Sequence, residues 1–491
     1  MFKNVKEFKV KDMSLKKNIV YNTIYQVFTL ILPLVTVPYI SRVLGTEGVG
    51  LYSYTSAFAQ YFVIAGMIGI SLYGNRQIGY VKHNKKKMSE EFVNIYTLQL
   101  ITTVISLIIY LICFLFINKS ERMLYGVESF IIIAAILDIS WFFIGYEDMK
   151  SVVIRNTLVK IAGVVLTFIF VKKADDVVLY AAIMSISTFV GQLIMWTGVK
   201  GKVKFVKPSL KYAFSHLKPA LALFVSQLAI QVYTLLDRTM LGVLTNNAQV
   251  GLYDNSQKTI KLLVTLVSSL GVVMLPKMSS LIAQGKKDEF KNFIYTVFKF
   301  VNFVSWPMAL GLMAVSNSFS LWFYSDKFTG ISILLKVGTL IVIAISWSNI
   351  LGIQVMLPMK KEKEFTISVT VGALVNFILN LTLIFKLQAL GTTIASVVAE
   401  FVVTFTQLYF LRNVVSLKKI LQTVYKPAVG SIAMYFMVSF CSAKLPINIV
   451  GTAIEVIIGI IIYIVIMILL KDESIKMLFN EMKDKLLKRR V

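Results

Sequence analysis

Pro38-Tyr39-Ile40-Ser41-Arg42-Val43-Leu44-Gly45-Thr46-Glu47-Gly48-Val49-Gly50-Leu51-Tyr52 ends one long apolar segment with an arginine, turns on three glycines and opens another. The pattern returns near the middle of the chain as Asp237-Arg238-Thr239-Met240-Leu241-Gly242, a polar turn, and Val250-Gly251-Leu252-Tyr253. The tetrapeptide Val-Gly-Leu-Tyr is identical in both places. Arg76 and Lys277 follow it at matching distance, and Lys85-Lys86-Lys87-Met88-Ser89-Glu90-Glu91-Phe92 is echoed by Lys286-Lys287-Asp288-Glu289-Phe290. Shared flanks as well as a shared core indicate a duplicated unit.

Composition fixes the class. The 491 residues are 57% hydrophobic and 15% charged, with a mean hydropathy of +0.75. So much apolar surface cannot be kept from water in a soluble fold of this length, which points to an integral membrane protein. Apolar runs of roughly 20 residues recur throughout, enough for a helix to cross a hydrocarbon core about 30 Å thick. They are too long and too weakly alternating for barrel strands, so the chain is expected to be all-α.

Fourteen spans are expected, at 18–41, 51–75, 92–117, 124–146, 152–171, 177–199, 219–242, 250–275, 290–316, 331–357, 364–386, 391–411, 424–442 and 448–470. The expected domains are a basic interfacial segment (1–17), an N-lobe of six helices (18–199) and a basic cytoplasmic connector (200–218). A six-helix C-lobe (219–411), two extra helices (412–470) and a basic amphipathic tail (471–491) follow. Of the 51 Lys and Arg residues, 37 fall in segments on one side, 10 on the other and four within spans. Basic residues favour the cytoplasmic side, which puts both termini there. An even number of spans separates the two signatures, so the lobes form a parallel pseudo-twofold repeat.

The net charge of +26 is then explained by cytoplasmic loops and anionic headgroups rather than by nucleic acid, which is not expected as a partner. Cys113 and Cys441 lie in separate apolar segments, and His83 and His216 lie far apart in loops. No metal or cofactor site is expected from them. No phosphate-binding Gly-rich loop occurs, and the exterior loops are too short to hold a sugar-transferase domain, so an enzyme is not expected.

Ionisable residues at membrane depth are costly unless paired, snorkelling or facing a wet cavity. Arg42 and Arg238 end corresponding helices, and either anchor at the interface or offer guanidinium forks to a phosphate. Lys258 and Lys261, three apart on an apolar helix, share one face and mark an anion site most directly. Lys160, near mid-helix, joins them as a pyrophosphate candidate. Asp138, Asp237 and Glu400 are coupling or ion-pair carboxylates, with Glu455 a further structural partner. Tyr21, Asn22, Tyr25, Gln26 and Tyr52 supply the aromatic and amide faces that suit sugar rings.

Taken together, Asn22, the Pro38–Gly48 stretch, Asp237-Arg238 with Leu241-Gly242, and Pro358 with Lys361-Glu362-Lys363-Glu364-Phe365 resemble the polysaccharide-repeat-unit flippases. These belong to the multidrug/oligosaccharidyl-lipid/polysaccharide exporter superfamily. The likeness covers nearly the whole chain. It implies a twelve-helix, two-lobed core, with two added C-terminal spans as in the lipid II flippases. It also implies a bacterial inner-membrane protein that carries an undecaprenyl-pyrophosphate-linked oligosaccharide to the outer leaflet by alternating access. Expected partners are that lipid-linked substrate, membrane lipids, a polysaccharide polymerase and a chain-length regulator, with the monomer as the working unit. A lipid II or teichoic-precursor flippase and a cation-coupled multidrug exporter of the same fold are alternatives. A membrane glycopolymerase is disfavoured by the short exterior loops.

Overall fold

The computed structural model describes the chain from residue 2 to residue 475. Side chains are described from Phe28 onward, apart from residues 225–230, 232–233, 270 and 272–273. Residues 476–491, most of the expected amphipathic tail, lie outside the described ones, as do the side chains of the expected interfacial segment 1–17.

The described residues contain helices and no strand. In the first half these are α1 (Phe2–Met67), α2 (Ile70–Val81), α3 (Lys85–Leu115), α4 (Arg122–Ile136), α5 (Ser140–Gly145), α6 (Met149–Phe170), α7 (Val177–Thr197), α8 (Leu210–Ser215) and α9 (Leu217–Leu244). The second half holds α10 (Asn247–Ala283), α11 (Lys287–Tyr324), α12 (Ile331–Gly338), α13 (Leu340–Ser348), α14 (Glu362–Phe410), α15 (Leu417–Ser442) and α16 (Ile449–Leu469). Ten helices among the described residues are long and apolar enough to cross a membrane, or eleven if the bent pair in α10 is one span. Two of the ten, Phe28–Val81 and Glu362–Phe410, have 54 and 49 residues. At 1.5 Å per residue each is long enough for two crossings. With α9, every one of the expected spans has its helix. The chain is an all-α, multi-pass membrane protein.

Both double-length helices break where the sequence places a turn. In α1 the break is Gly45, at φ 69° and ψ −173°, a region essentially reserved for glycine. Of the three glycines expected to turn the chain, only this one does so. Gly48 is helical and serves close packing: a Cβ there would lie 2.9 Å from Leu44 Cβ and from Val177 Cγ2. In α14 the break is Gln388, at φ 51° and ψ −128°. The Ala389 N–H that this break frees donates to Gln249 Oε1 at 3.2 Å, so no buried donor is lost.

Contacts divide the chain into two compact units, Met1–Gly242 and Val243–Val491. Nearly all of α9, grouped in the sequence reading with the later helices, belongs to the first unit. There Tyr61 Oη and Thr239 Oγ1 are 2.9 Å apart, and Gly242 packs so close to the Tyr54 ring that a Cβ would lie 2.4 Å from its Cδ2. The core of this unit is built around Trp141, which is fully buried. Its Nε1 donates to Gln99 Oε1 at 2.9 Å. Gln99 Nε2 in turn donates to the carbonyls of Ala135 at 2.9 Å and Asp138 at 2.8 Å. These are carbonyls released where the fourth span breaks between α4 and α5, so one amide satisfies a helix end within an apolar core.

In the second unit Asn302 plays the equivalent part. Its Oδ1 accepts from Trp347 Nε1 at 2.7 Å, and its Nδ2 donates to Thr423 Oγ1 at 2.9 Å. Helix α16 docks on α11 by polar contacts. Tyr463 donates to the Phe303 carbonyl at 2.7 Å, Trp322 to Thr452 at 2.8 Å, and Ser318 to Glu455 Oε2 at 2.7 Å. Glu455 therefore joins helices through a serine hydroxyl, where the sequence suggested an ion pair. The end of the tenth span, Asn349–Met356, is π-helical, a form that concentrates at functional positions. Its Asn349 Nδ2 donates to Ser268 Oγ at 2.6 Å.

Candidate functional site

The first unit holds Arg42, Tyr52, Asp138, Lys160, Asp237 and Arg238; the second holds Lys258, Lys261 and Glu400. Tyr21, Asn22, Tyr25 and Gln26 lie outside the described side chains.

Around the signature stretch the first unit gathers its aromatic and cationic groups. Tyr39 donates to the Val171 carbonyl at 2.6 Å and stacks on Phe168 with centroids 4.3 Å apart. This pins the end of the first span to the end of α6. One turn later Arg42 is exposed, and its Nη1 donates to the Pro38 carbonyl at 3.1 Å. The contact holds the guanidinium against its own helix end, where a cation also complements the helix dipole. The facing loop is closed by Asp176, whose Oδ2 accepts from the N–H groups of Lys172 and Lys173 at 2.7 and 2.8 Å. Those two backbone donors hold the Asp176 carboxyl below the usual carboxylate range. Tyr52 meets Tyr180 edge-on at 4.7 Å. On α9, Asp237 is buried and Arg238 beside it half-buried. Lys160 is half-buried on α6. Asp138 caps a turn: its Oδ1 accepts from Ser140 N at 2.9 Å and from Ser140 Oγ at 2.6 Å.

In the second unit the polar face of α10 is broader than a pair of lysines. Asp254, Asn255, Ser256, Gln257 and Thr259 are all buried. Lys258 Nζ lies 2.6 Å from Asp254 Oδ2, one turn back on the same helix. Tyr324 hydrogen-bonds to Thr259 Oγ1 and donates to the Asn255 carbonyl at 3.0 Å. Lys261 is exposed, and Glu400 is buried on α14. The sequence reading found Lys258 but passed over Asp254 and Asn255. The signal was there, since Asp254-Asn255-Ser256-Gln257-Lys258-Thr259 is an uninterrupted polar run inside an apolar segment.

Away from these groups, the basic connector is strapped to the first unit. Lys204 N donates to Ser89 Oγ at 3.0 Å, Ser209 N to Asn94 Oδ1 at 2.9 Å, and Lys85 Nζ to the Gly201 carbonyl at 2.6 Å. Lys202 Nζ sits 2.6 Å from Asp148 Oδ2. Partial burial works to raise the Asp148 pKa, but the bonds from Lys202 and Ser151 outweigh it and hold the carboxyl low. Among the described residues no group of three or more His, Cys, Asp or Glu side chains is arranged to hold a metal ion.

An all-helical chain with many apolar spans and cationic and aromatic groups at the span ends is a multi-pass membrane protein. Comparison with known proteins makes the class specific. Residues 15–282 match the family described as "Polysaccharide biosynthesis protein", and the chain belongs to that family. It is 26% identical over 420 residues to a protein of Escherichia coli (strain K12) named as an O-antigen transporter, covering 82% of this chain and 97% of that one. A Shigella dysenteriae protein of the same name is 25% identical over 398 residues, covering 79% and 97%. Among solved structures, the lipid II flippase MurJ in an inward closed conformation superposes with a TM-score of 0.78 at 18% identity, covering 92% of this chain and 99% of that one. An inward-facing multidrug transporter of the MATE family and MOP superfamily gives 0.60 at 13% identity, covering 82% and 98%. The relatives are transporters and flippases rather than enzymes, and the fold is that of the MOP superfamily.

Proposed function

We propose that this protein is a flippase that moves an undecaprenyl-pyrophosphate-linked oligosaccharide repeat unit from the inner to the outer leaflet of the bacterial cytoplasmic membrane. It serves capsule, O-antigen or exopolysaccharide assembly, and works by alternating access. The observation that carries this reading is the pair of relatives named as O-antigen transporters, each matched over 97% of its own length. The chemistry of the chain agrees. Arg42, Arg238, Lys258, Lys261 and Lys160 are the groups that meet the pyrophosphate, and Tyr21, Asn22, Tyr25, Gln26 and Tyr52 those that meet the sugars.

Energetics favour the direction. With the cell interior negative, outward movement of each negative charge gains about 2.3 kcal/mol per 100 mV. The prenyl tail stays in lipid, so only the head needs a polar path. Resetting the empty cationic groups at membrane depth uses a counter-ion, for which Asp138, Asp237 and Glu400 are the candidate carboxylates. Both termini are cytoplasmic, the protein acts as a monomer without catalysis, and a polymerase and chain-length regulator receive its product.

Deleting the gene and analysing the lipid carriers tests this. Repeat units held on carrier lipid at the cytoplasmic face are the expected result. Unchanged surface polysaccharide in a strain with no second transporter would overturn the proposal.

A further inference from the structure

Where the connector meets α9, four side chains converge that the transport reading does not use. α8 and α9 are separated by His216 alone, and that imidazole is 3% exposed. Its Nδ1 lies 2.7 Å from Tyr73 Oη on α2. Its Nε2 lies 3.7 Å from Glu91 Oε2 on α3, beyond hydrogen-bond reach, and both of those atoms are buried without a hydrogen-bond partner. The other carboxylate oxygen, Glu91 Oε1, accepts from Tyr212 Oη on α8. Arg76 lies over the outer face of Tyr73, 6.0 Å from its centroid. The groups facing His216 are thus Tyr73 and Arg76 from α2, Glu91 and its neighbour Glu90 from α3, and Tyr212 from α8.

The same corner is tight in its backbone. The break between α1 and α2 is made by Gly69 at φ 79°, and a Cβ there would lie 2.7 Å from the Ala220 carbonyl and 3.0 Å from Phe224 Cβ. The first turns of α9 therefore rest directly on this break. Pro219 sits in the first turn of α9, where its missing N–H costs nothing.

We propose that His216, Glu91, Tyr73 and Tyr212 form a proton-binding site at the foot of α9, and that taking up a proton there releases α8 and the first turn of α9 from α2 and α3. A neutral imidazole has one ring N–H. With that hydrogen on Nε2, Nδ1 accepts from the Tyr73 hydroxyl. A proton arriving from solvent binds Nδ1 and turns the acceptor into a donor, so the Tyr73 bond must reverse. It also leaves a full positive charge in a site closed to water, with its carboxylate too far away to bond.

The direction of coupling follows from linkage. Burial holds the His216 pKa below the ordinary histidine value, and Glu91 only partly counteracts it. The clasped state therefore binds the proton less well than an open, hydrated one. Acidification then favours release. Tyr212 stays protonated over this range, because burial and the Glu91 carboxylate both raise its pKa, so it keeps its donor while His216 titrates.

The test is hydrogen exchange of the full-length protein in nanodiscs, corrected for the intrinsic pH dependence of exchange. Backbone protection across residues 209–220 is expected to fall between pH about 8 and about 5, a range that brackets the ordinary imidazole value. Because one proton is taken up, the fall is at most about tenfold per pH unit. His216→Gln keeps an acceptor for Tyr73 but cannot take the proton, so its protection profile should be flat. Glu91→Gln removes the charge that partly counteracts burial, so the loss of protection on acidification should deepen while its onset, set by the open-state imidazole, stays in place. Flat protection in the unaltered protein, or an unchanged transition in His216→Gln, would overturn the proposal. Should either variant fail to insert, exchange of the His216 C2 hydrogen decides in the unaltered chain. A midpoint below about 6.5 is expected, and one at or above it contradicts the proposal. The readout is independent of any cargo, so it succeeds or fails separately from the flippase reading.

Discussion

Asp254 and Lys258 form an ion pair 2.6 Å long within one turn of α10, with the carboxylate buried and the ammonium half-exposed. The pair explains how a lysine is held inside an apolar span. The acid supplies the local counter-charge, and the exposed side of the ammonium keeps donors for a second anion. Lys258→Glu replaces this with two carboxylates one turn apart. Repeat-unit export is expected to fall at least about tenfold, because a charge-assisted contact is worth about 1.5–3 kcal/mol. The amount of protein in the membrane fraction should not change. Normal export by this variant would remove Lys258 from the cargo path.

Asp254→Asn is expected to behave differently. It removes the counter-charge and leaves a lysine at membrane depth without it, at a cost of a few kcal/mol. Thermal stability in detergent should drop, and restoring neutrality with Asp254→Asn plus Lys258→Met should recover most of it. A double variant no more stable than the single one would show that the pair does not determine stability here.

Gly45→Ala tests the turn that separates the first two spans. At φ 69° and ψ −173° a Cβ is strained by about 1–3 kcal/mol. Gly48→Ala fails for another reason, since its Cβ would crowd Leu44 and Val177. Both should lower the melting temperature, whereas alanine at the exposed Thr46 neighbour Glu47 should leave it nearly unchanged.

Gln99→Leu breaks the bridge between Trp141 and the end of α4. It takes the partner from the buried Trp141 indole N–H and the side-chain donor from the Asp138 carbonyl, at about 1–3 kcal/mol for each buried group left unsatisfied. Loss of the folded protein from the membrane, or a large drop in thermal stability, is expected. A small effect would mean that water reaches those groups.

The connector provides a pH control. The Asp148 carboxyl is held low in the folded protein, so its contribution is fully present above the ordinary aspartate value near 3.9 and is lost as pH falls through the folded value. Exchange near Lys202 should therefore stay slow through the range in which the His216 segment loosens, and rise only below pH about 4. Simultaneous loosening of both segments would contradict separate control.

The spans and the turn at Gly45 were legible because they depend on local composition and on a backbone conformation that glycine alone adopts readily. The positions of Arg42, Arg238 and Lys258 were legible for the same reason, as charges in apolar runs. What binds those charges was less so. Asp254 lies within sight of Lys258 in sequence, but a polar run shows only that a face is wet, not which members pair. Gln99 with Trp141, Asn302 with Trp347, and His216 with Glu91 join residues 42, 45 and 125 positions apart, and no period in the chain encodes that. The assignment of α9 to the first unit is likewise a matter of packing at Gly69, Tyr54 and Tyr61. The signature repeat marks where a unit begins in sequence and carries no information about which neighbour a helix chooses.

Reconstitution into liposomes with a defined lipid-linked oligosaccharide pyrophosphate tests the central claim most directly. Transfer between leaflets should be accelerated by the unaltered protein and by a membrane potential directed to move anions across. It should be abolished in Arg238→Glu and Lys258→Glu, and an analogue with an uncharged head should not be moved. Equal transfer of the uncharged analogue, or full activity in both variants, would contradict a path that recognises its cargo by the charge of the head.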